Sequence, residues 1–156
     1  MHDAIKPGQN PFWLYSVNVW QDAATREVLL QWQDVGADIN VLLFCAYLTR
    51  QGRVLNLDLL GRAGIEHWQR SVVQPLREAR MKLQAEKENP VYQQLKQQEL
   101  DAEQHEQELL ASLEADCEIH DTQDLLAINL HLYLGSALLN AEKEKAQQLM
   151  ERLGCF

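Results

Sequence analysis

The chain has 156 residues, 46% of them hydrophobic and 24% charged, which suits one globular domain with a sizeable core. Seven glycines and four prolines give few turn signals, and three widely spaced cysteines argue against a disulfide framework or a cysteine-rich zinc site. The net charge of −9 falls in residues 81–156, which hold 6 basic and 15 acidic side chains, so no general nucleic-acid binder is expected.

The first two helices are predicted from their ends and their spacing. Asn10 is a suitable N-cap, and Pro11 suits the first position of a helix. Apolar residues recur at helical spacing through residues 28–35, which indicates a second helix. Gly36 follows directly and is expected to end this helix in the left-handed conformation.

The third and fourth helices are predicted to follow. Asp38 is placed to cap a third helix that is apolar on nearly every face and should therefore be central and buried, with Gly52 as its stop. Asn56 or Asp58 is expected to start the fourth helix. Pro75 removes a backbone donor and should kink that helix or restart it.

A polar helix is predicted over residues 92–113, after a break at residues 88–90. Its central part has few apolar side chains, so its buried stripe is thin. It either covers the bundle as an outer helix or projects as an arm. Asp121 or Thr122 is expected to cap a last helix, whose apolar first part should pack inside.

These elements predict an all-α fold, a bundle of about six helices with the long polar helix near residues 92–113. We expect residues 1–156 to form a single helical domain with an aromatic-rich half, 10–88, and an acidic helical half, 90–156. The N-terminus shows no secretory signal pattern, and the longest apolar run, residues 41–48, is too short to span a bilayer. A cytoplasmic protein without membrane association is expected.

Several motifs together resemble a proteobacterial family of small proteins of unknown function. They are a Phe-Trp start at residue 12, a central "QDVGADIN" at residues 33–40, a Pro-Leu-Arg segment at residue 75 and "QELDAE" at residues 98–103. The resemblance covers roughly the first two thirds of the chain. It implies a cytoplasmic bacterial protein, and it implies no activity.

Asp34 is the unusual residue of the central motif. Its carboxylate falls in the last turn of a helix, at the negative end of the helix dipole, which costs about 0.3–1 kcal/mol unless a partner compensates. Arginine is the available cation, since Arg62, Arg70, Arg77 and Arg80 lie near the fourth helix. We therefore expect an Asp34–Arg ion pair that joins the junction to that segment.

Two groups of side chains are candidate binding surfaces. Arg70, Gln74, Arg77 and Arg80 share one helix face, which either binds an anion or an acidic partner or pairs internally with the acidic second half. The aromatic cluster either forms core or lines a ligand pocket, and core is the more frequent outcome. Its members are Phe12, Trp13, Tyr15, Trp20, Trp32 and Trp68.

No metal or cofactor site is predicted. A calcium loop needs about five or more oxygen ligands at set spacing, which the central motif lacks. No histidine among residues 67, 105, 120 and 131 follows a glutamate at the E-x-x-H spacing of di-iron bundles. Asp116, Cys117 and His120 could hold zinc, but a solvated acidic surface is favoured because so few ligands do not make a site.

The sequence leaves two functions open. The leading hypothesis is a non-enzymatic module for an unknown protein partner, bound through Arg70, Arg80, Glu99 and Glu103 on the arginine face and the polar helix. The alternative is a small-molecule or anion-binding domain, which could be an enzyme. Its pocket is expected to be framed by Trp13, Tyr15, Asp34 and Arg77.

Overall fold

The computed structural model describes residues 10–120 and 122–156, and every regular element within them is helical, which confirms the all-α prediction. A π-helical segment, Gln69–Val73, joins α5 to α6, so these three form one continuous rod. The helices in chain order are α1 (Pro11–Gln21), α2 (Ala23–Asp34), α3 (Ile39–Arg50), α4 (Leu57–Ala63), α5 (Ile65–Trp68), α6 (Gln74–Lys82), α7 (Pro90–Leu113), α8 (Leu125–Leu134), α9 (Ser136–Ala141) and α10 (Lys143–Leu153).

The predicted helix ends in the first half are confirmed. The side chain of Asn10 accepts from the Trp13 N–H at 2.7 Å, and that of Asn56 accepts from the Asp58 N–H at 3.0 Å. Gly36 has φ 97°, so the chain turns there in a region that side chains avoid. The Asp38 carboxylate accepts from the Asn40 N–H at 2.9 Å and begins α3.

The apolar third helix is the centre of the core, as predicted. Every residue from 41 to 48 is buried. Helix α3 contacts α1, α2, α7 and α8, so elements from both halves of the sequence share its surroundings. Phe12 of α1 meets Phe44 of α3 edge to face, with ring centroids 5.2 Å apart.

Pro75 is the second residue of α6, which follows the π segment. A proline has no N–H for the helical ladder, and its ring crowds the carbonyl one turn before it. The wider π turn accommodates both effects, and the rod continues to Lys82. The predicted irregularity near Pro75 is therefore a π segment, and the rod is not interrupted there.

The prediction for the last helix was wrong in two respects. Thr122 precedes the helix, which begins at Leu125 with Asp124 at the cap position; Asp121 lies outside the described residues. Gly135, with φ 82° and ψ 157°, then ends α8. The region forms three helices instead of one, and α9 buries none of its residues. Together with the left-handed Gly64 after α4, this raises the number of segments above six.

Helix α7 lies along the bundle and contacts α1, α3, α4, α5 and α6. The outer-helix alternative is therefore the observed one. The buried face of α7 contains few apolar residues because half of its buried positions carry polar side chains. The buried residues of α7 are Tyr92, Glu99, Ala102, Glu106, Gln107 and Leu110. Within the described part of the chain, no helix is both long enough and apolar enough to cross a membrane.

Candidate functional site

A cleft of about 400 Å³ opens between α1, α2, α3, α6 and α7. Part of its lining, the apolar walls, includes two half-buried tryptophans of α1; the wall residues include Trp13, Val17, Trp20, Leu30, Leu43 and Leu100. The polar and charged part of the lining, the floor, is formed by Gln33, Asp38, Asn40, Arg77, Arg80, Glu99, Glu103 and Gln107. The cleft thus joins an apolar space to a built polar floor.

Arg77 is the central cation of this floor, with its side chain 18% exposed. Its Nε donates to Glu99 and its Nη2 to Glu103, each at 3.0 Å. Gln33 completes the set: with its carbonyl oxygen facing Arg77, the orientation that satisfies both groups, it accepts from Nη1 at 2.7 Å. All three nitrogens of the guanidinium are therefore engaged, and α2, α6 and α7 are joined through it.

Arg80 binds Glu99 through two nitrogens, Nε to Oε2 and Nη2 to Oε1, the latter at 3.3 Å. The Glu99 side chain is 9% exposed and accepts from both arginines. The hydrogen bond to Glu99 raises the pKa of Arg80, so the guanidinium stays charged. The internal pairing expected as one outcome for the arginine face is therefore the one observed.

A chain of amides crosses from α1 through α7 to α3. Gln107 Nε2 donates to Ser16 Oγ and to Asn40 Oδ1, both at 3.0 Å. Asn40 Nδ2 in turn donates to Glu106 Oε1 at 3.2 Å. These bonds fix the position of Glu106, whose side chain is fully buried.

Glu106 lies against Asp38, and the two form a buried carboxyl pair. Asp38 is 8% exposed and Glu106 0%. Burial and the neighbouring Asp38 raise the pKa of Glu106, and burial raises the pKa of Asp38. Within the described residues, Asp38 Oδ2 and Glu106 Oε2 receive no N–H or O–H from another group. One proton held between the two carboxyls satisfies both oxygens, so the pair carries a single negative charge.

The structure brings together five of the predicted residues and leaves three elsewhere. Trp13, Arg77, Arg80, Glu99 and Glu103 all line the cleft. Tyr15 packs into the core against Tyr47, with ring centroids 5.5 Å apart, and burial raises its pKa to about 12. Arg70 lies on the surface and pairs with Glu66 one turn away at 2.6 Å.

The Asp34–Arg pair was wrong. Asp34 is exposed, and in the described chain no donor or cation reaches its carboxylate. Its neighbour Gln33 instead makes the expected link from the junction to Arg77. Because water can solvate an exposed carboxylate at a helix end, the unfavourable dipole is tolerated there without a protein partner.

Sequence reasoning missed Asp38, Asn40, Glu106 and Gln107 as site residues. The first two were assigned only to capping and the first turn of α3. The signal for the other two was the position of Glu99, Glu106 and Gln107 at helical spacing with Ala102 and Leu110, which are apolar. No triplet of His, Cys, Asp or Glu side chains with a metal-binding arrangement occurs in residues 10–120 and 122–156.

The model of a family described as "Protein of unknown function (DUF2390)" matches residues 11–110, and the chain belongs to this family. The predicted membership in a family without an assigned function is confirmed. The matched range contains every residue that lines the cleft. No curated protein matches the chain, and no solved structure matches it.

Proposed function

We propose that this member of a family without an assigned function binds a small organic molecule in the cleft between α1, α2, α3, α6 and α7. The observation that carries this proposal is the cleft itself, about 400 Å³ in volume, lined by both apolar side chains and charged ones. Small-molecule sites have this form: volumes of roughly 300–1,000 Å³, mostly apolar linings and a few convergent polar groups.

The walls suit a flat apolar body. Trp13 and Trp20 offer rigid aromatic faces at low entropic cost. Val17 is 39% exposed and Leu30 is 42% exposed, although both are large apolar side chains on ordered helices. A ligand that covers them removes apolar surface from water, which stabilises a complex by about 25 cal/mol per Å².

The floor supports the same function because it is held in place before any ligand arrives. Arg77 is fixed by Gln33, Glu99 and Glu103 from two other helices. Gln107 and Asn40 are fixed by each other. A polar set that is already ordered loses little entropy on binding, which is the property expected of a specific site.

A matched pair of variants tests the proposal. Val17→Trp places an indole in the mouth of the cleft, whereas Leu14→Trp adds the same group one turn earlier on α1, where Leu14 is 58% exposed and outside the cleft. Saturation-transfer NMR with a library of small aromatic fragments should give binders for the parent protein and for Leu14→Trp. Val17→Trp should lose most of them. Equal binding to both variants, or no fragment bound to the parent, contradicts the proposal.

Binding of another protein is the second candidate function. The exposed apolar rim favours it, since Val17, Leu30 and Leu100, the last 39% exposed, could receive a side chain from a partner. The charged residues earlier assigned to a partner support it less, because Arg80, Glu99 and Glu103 are occupied by internal ion pairs. The two candidate functions are distinguished by the size of the molecule that binds. Small fragments should bind the cleft if it is a small-molecule site, whereas only an intact protein partner should bind if it is a protein interface.

A further inference from the structure

We infer that the polar floor of the cleft selects a ligand with one positive charge, such as a primary amine or an amidinium, with the Asp38–Glu106 carboxyl pair as its counter-ion. This inference rests on the proposed ligand-binding function and names the chemistry of the ligand. It follows from the charge balance of the floor, from the unused acceptors there and from the aromatic wall beside them.

Among the residues that the structure describes, the charge balance of the floor leaves one negative charge without a partner. Four carboxyls stand against two guanidiniums, and the proton shared by the carboxyl pair removes one of the two excess charges. The groups are Asp38, Glu99, Glu103 and Glu106 with Arg77 and Arg80. A negative charge away from water is costly unless it is paired. One monovalent cation in the adjoining cleft restores neutrality.

The hydrogen-bonding groups of the floor also favour a cationic ligand. Each nitrogen of the Arg77 guanidinium already donates to a protein group, and its charge is balanced by Glu99 and Glu103. The acceptors are less occupied: Asp38 lines the cleft, and its Oδ2 has only the proton that it shares with Glu106. Glu103 lines the cleft too, and its one arginine bond is made through Oε1. A donor-rich head group complements this floor.

The aromatic wall adds a second attraction for a cation. Trp13 and Trp20 line the same cleft as Asp38. Tryptophan is the side chain whose face attracts an ammonium group most strongly, within about 6 Å of the ring. Carboxylates and indoles together therefore suit an organic amine with an apolar body, and they suit neither a carboxylate nor a phosphate.

The test compares three ligands of one shape and different charge. Calorimetry at pH 7.5 with 2-phenylethylamine, 2-phenylethanol and 3-phenylpropionate should show the amine binding about tenfold more tightly than the alcohol, with the acid weakest. Asp38→Asn should remove the preference for the amine. Asparagine caps helices as well as aspartate does, so this variant is expected to fold.

Asp34→Asn is the matched control, since it makes the same change four residues away on the exposed side of the junction. It should leave the preference for the amine intact. Equal affinity for amine and alcohol, or an unchanged preference in Asp38→Asn, overturns the inference. If all three ligands then compete with the fragments that Val17→Trp excludes, the cleft still binds small molecules and only the charge assignment is wrong.

Discussion

The two ends of α3 pack in opposite ways. Residues 41–48 are buried among apolar side chains of α1, α2 and α8. The first turn, with Asp38 at its cap and Asn40 in it, faces a polar layer formed with α6 and α7. One helix of twelve residues therefore joins an apolar core to a network of ion pairs and amides.

The difference shows where this fold is tolerant and where it is not. Apolar packing is not directional, and its free energy is spread over many small contacts, so no single pair decides it. The polar layer depends on complete pairing, because a buried group that loses its partner keeps its full desolvation cost. The cleft opens on the second region, and its charged floor is therefore specified more strictly than its apolar walls.

A substitution at the apolar end of α3 should cause the largest loss of stability. Phe44→Ala removes a fully buried ring that contacts Phe12, and it should lower the free energy of unfolding by about 3–5 kcal/mol. Urea denaturation followed by circular dichroism measures this. Leu14→Ala, at a side chain 58% exposed, is the control and should change stability by less than about 0.5 kcal/mol. A similar cost at both positions would contradict the assignment of α3 as the core.

A substitution in the polar layer should cause the second-largest loss of stability. Arg77→Met leaves Glu103 without its cation and Glu99 with one arginine instead of two, and we expect a loss of about 2–4 kcal/mol. Arg70→Met is the control, because its ion pair with Glu66 is exposed on both sides and should contribute about 0–1 kcal/mol. If the two variants lose the same free energy, the layer is no more than a set of surface ion pairs.

Most of the fold was accessible from the sequence because local chemistry determines it. Caps at Asn10, Asp38 and Asn56 and the stop at Gly36 require only short-range hydrogen bonds or one positive φ. The apolar run of α3 predicts burial by itself. The last region was not predicted because hydrophobic content gives no position for a break, and Gly135 there was not recognised as one.

The site was predicted only in part, since its partners lie far apart in sequence. Arg77 and Glu103 stood out as charged residues on helix faces, but nothing local pairs them across 26 residues. Asp34 and Asp38 have the same side chain and lie only four residues apart. Burial separates them, and burial depends on α7, whose inward face carries Glu106 where a simple pattern has an apolar residue. The buried positions of α7 do follow helical spacing, but polar residues occupy half of them.

The carboxyl pair should be visible in the pH dependence of stability. The raised pKa of Glu106 means that the folded chain keeps a proton that the unfolded chain loses near pH 4.3, the ordinary value for glutamic acid. From that pH upward to the raised pKa, the contribution of this residue to stability falls, at most by about 1.4 kcal/mol per pH unit. Glu106→Gln removes the titrating group and keeps an acceptor for Asn40.

The stability of Glu106→Gln should therefore fall less than that of the parent between pH 5 and 8, as measured by urea denaturation at a series of pH values. Glu108→Gln is a control on the same helix: its side chain is partly exposed and pairs with no cation within the described residues. Glu108→Gln should follow the parent curve. Parallel curves for the parent and Glu106→Gln would show that the pair holds no extra proton in the folded chain.

The smallest effect is expected at Asp34, and it separates two explanations of an acid at the end of a helix. If an unseen cation stabilised this carboxylate, Asp34→Asn would lower stability. The structure instead leaves it exposed at the negative end of the α2 dipole, so removing its charge should raise the free energy of unfolding by about 0.3–1 kcal/mol at low salt. Thermal unfolding at 20 mM and 500 mM NaCl checks this. The gain should shrink at high salt, because screening weakens an exposed charge more than it weakens the buried pair four residues further on.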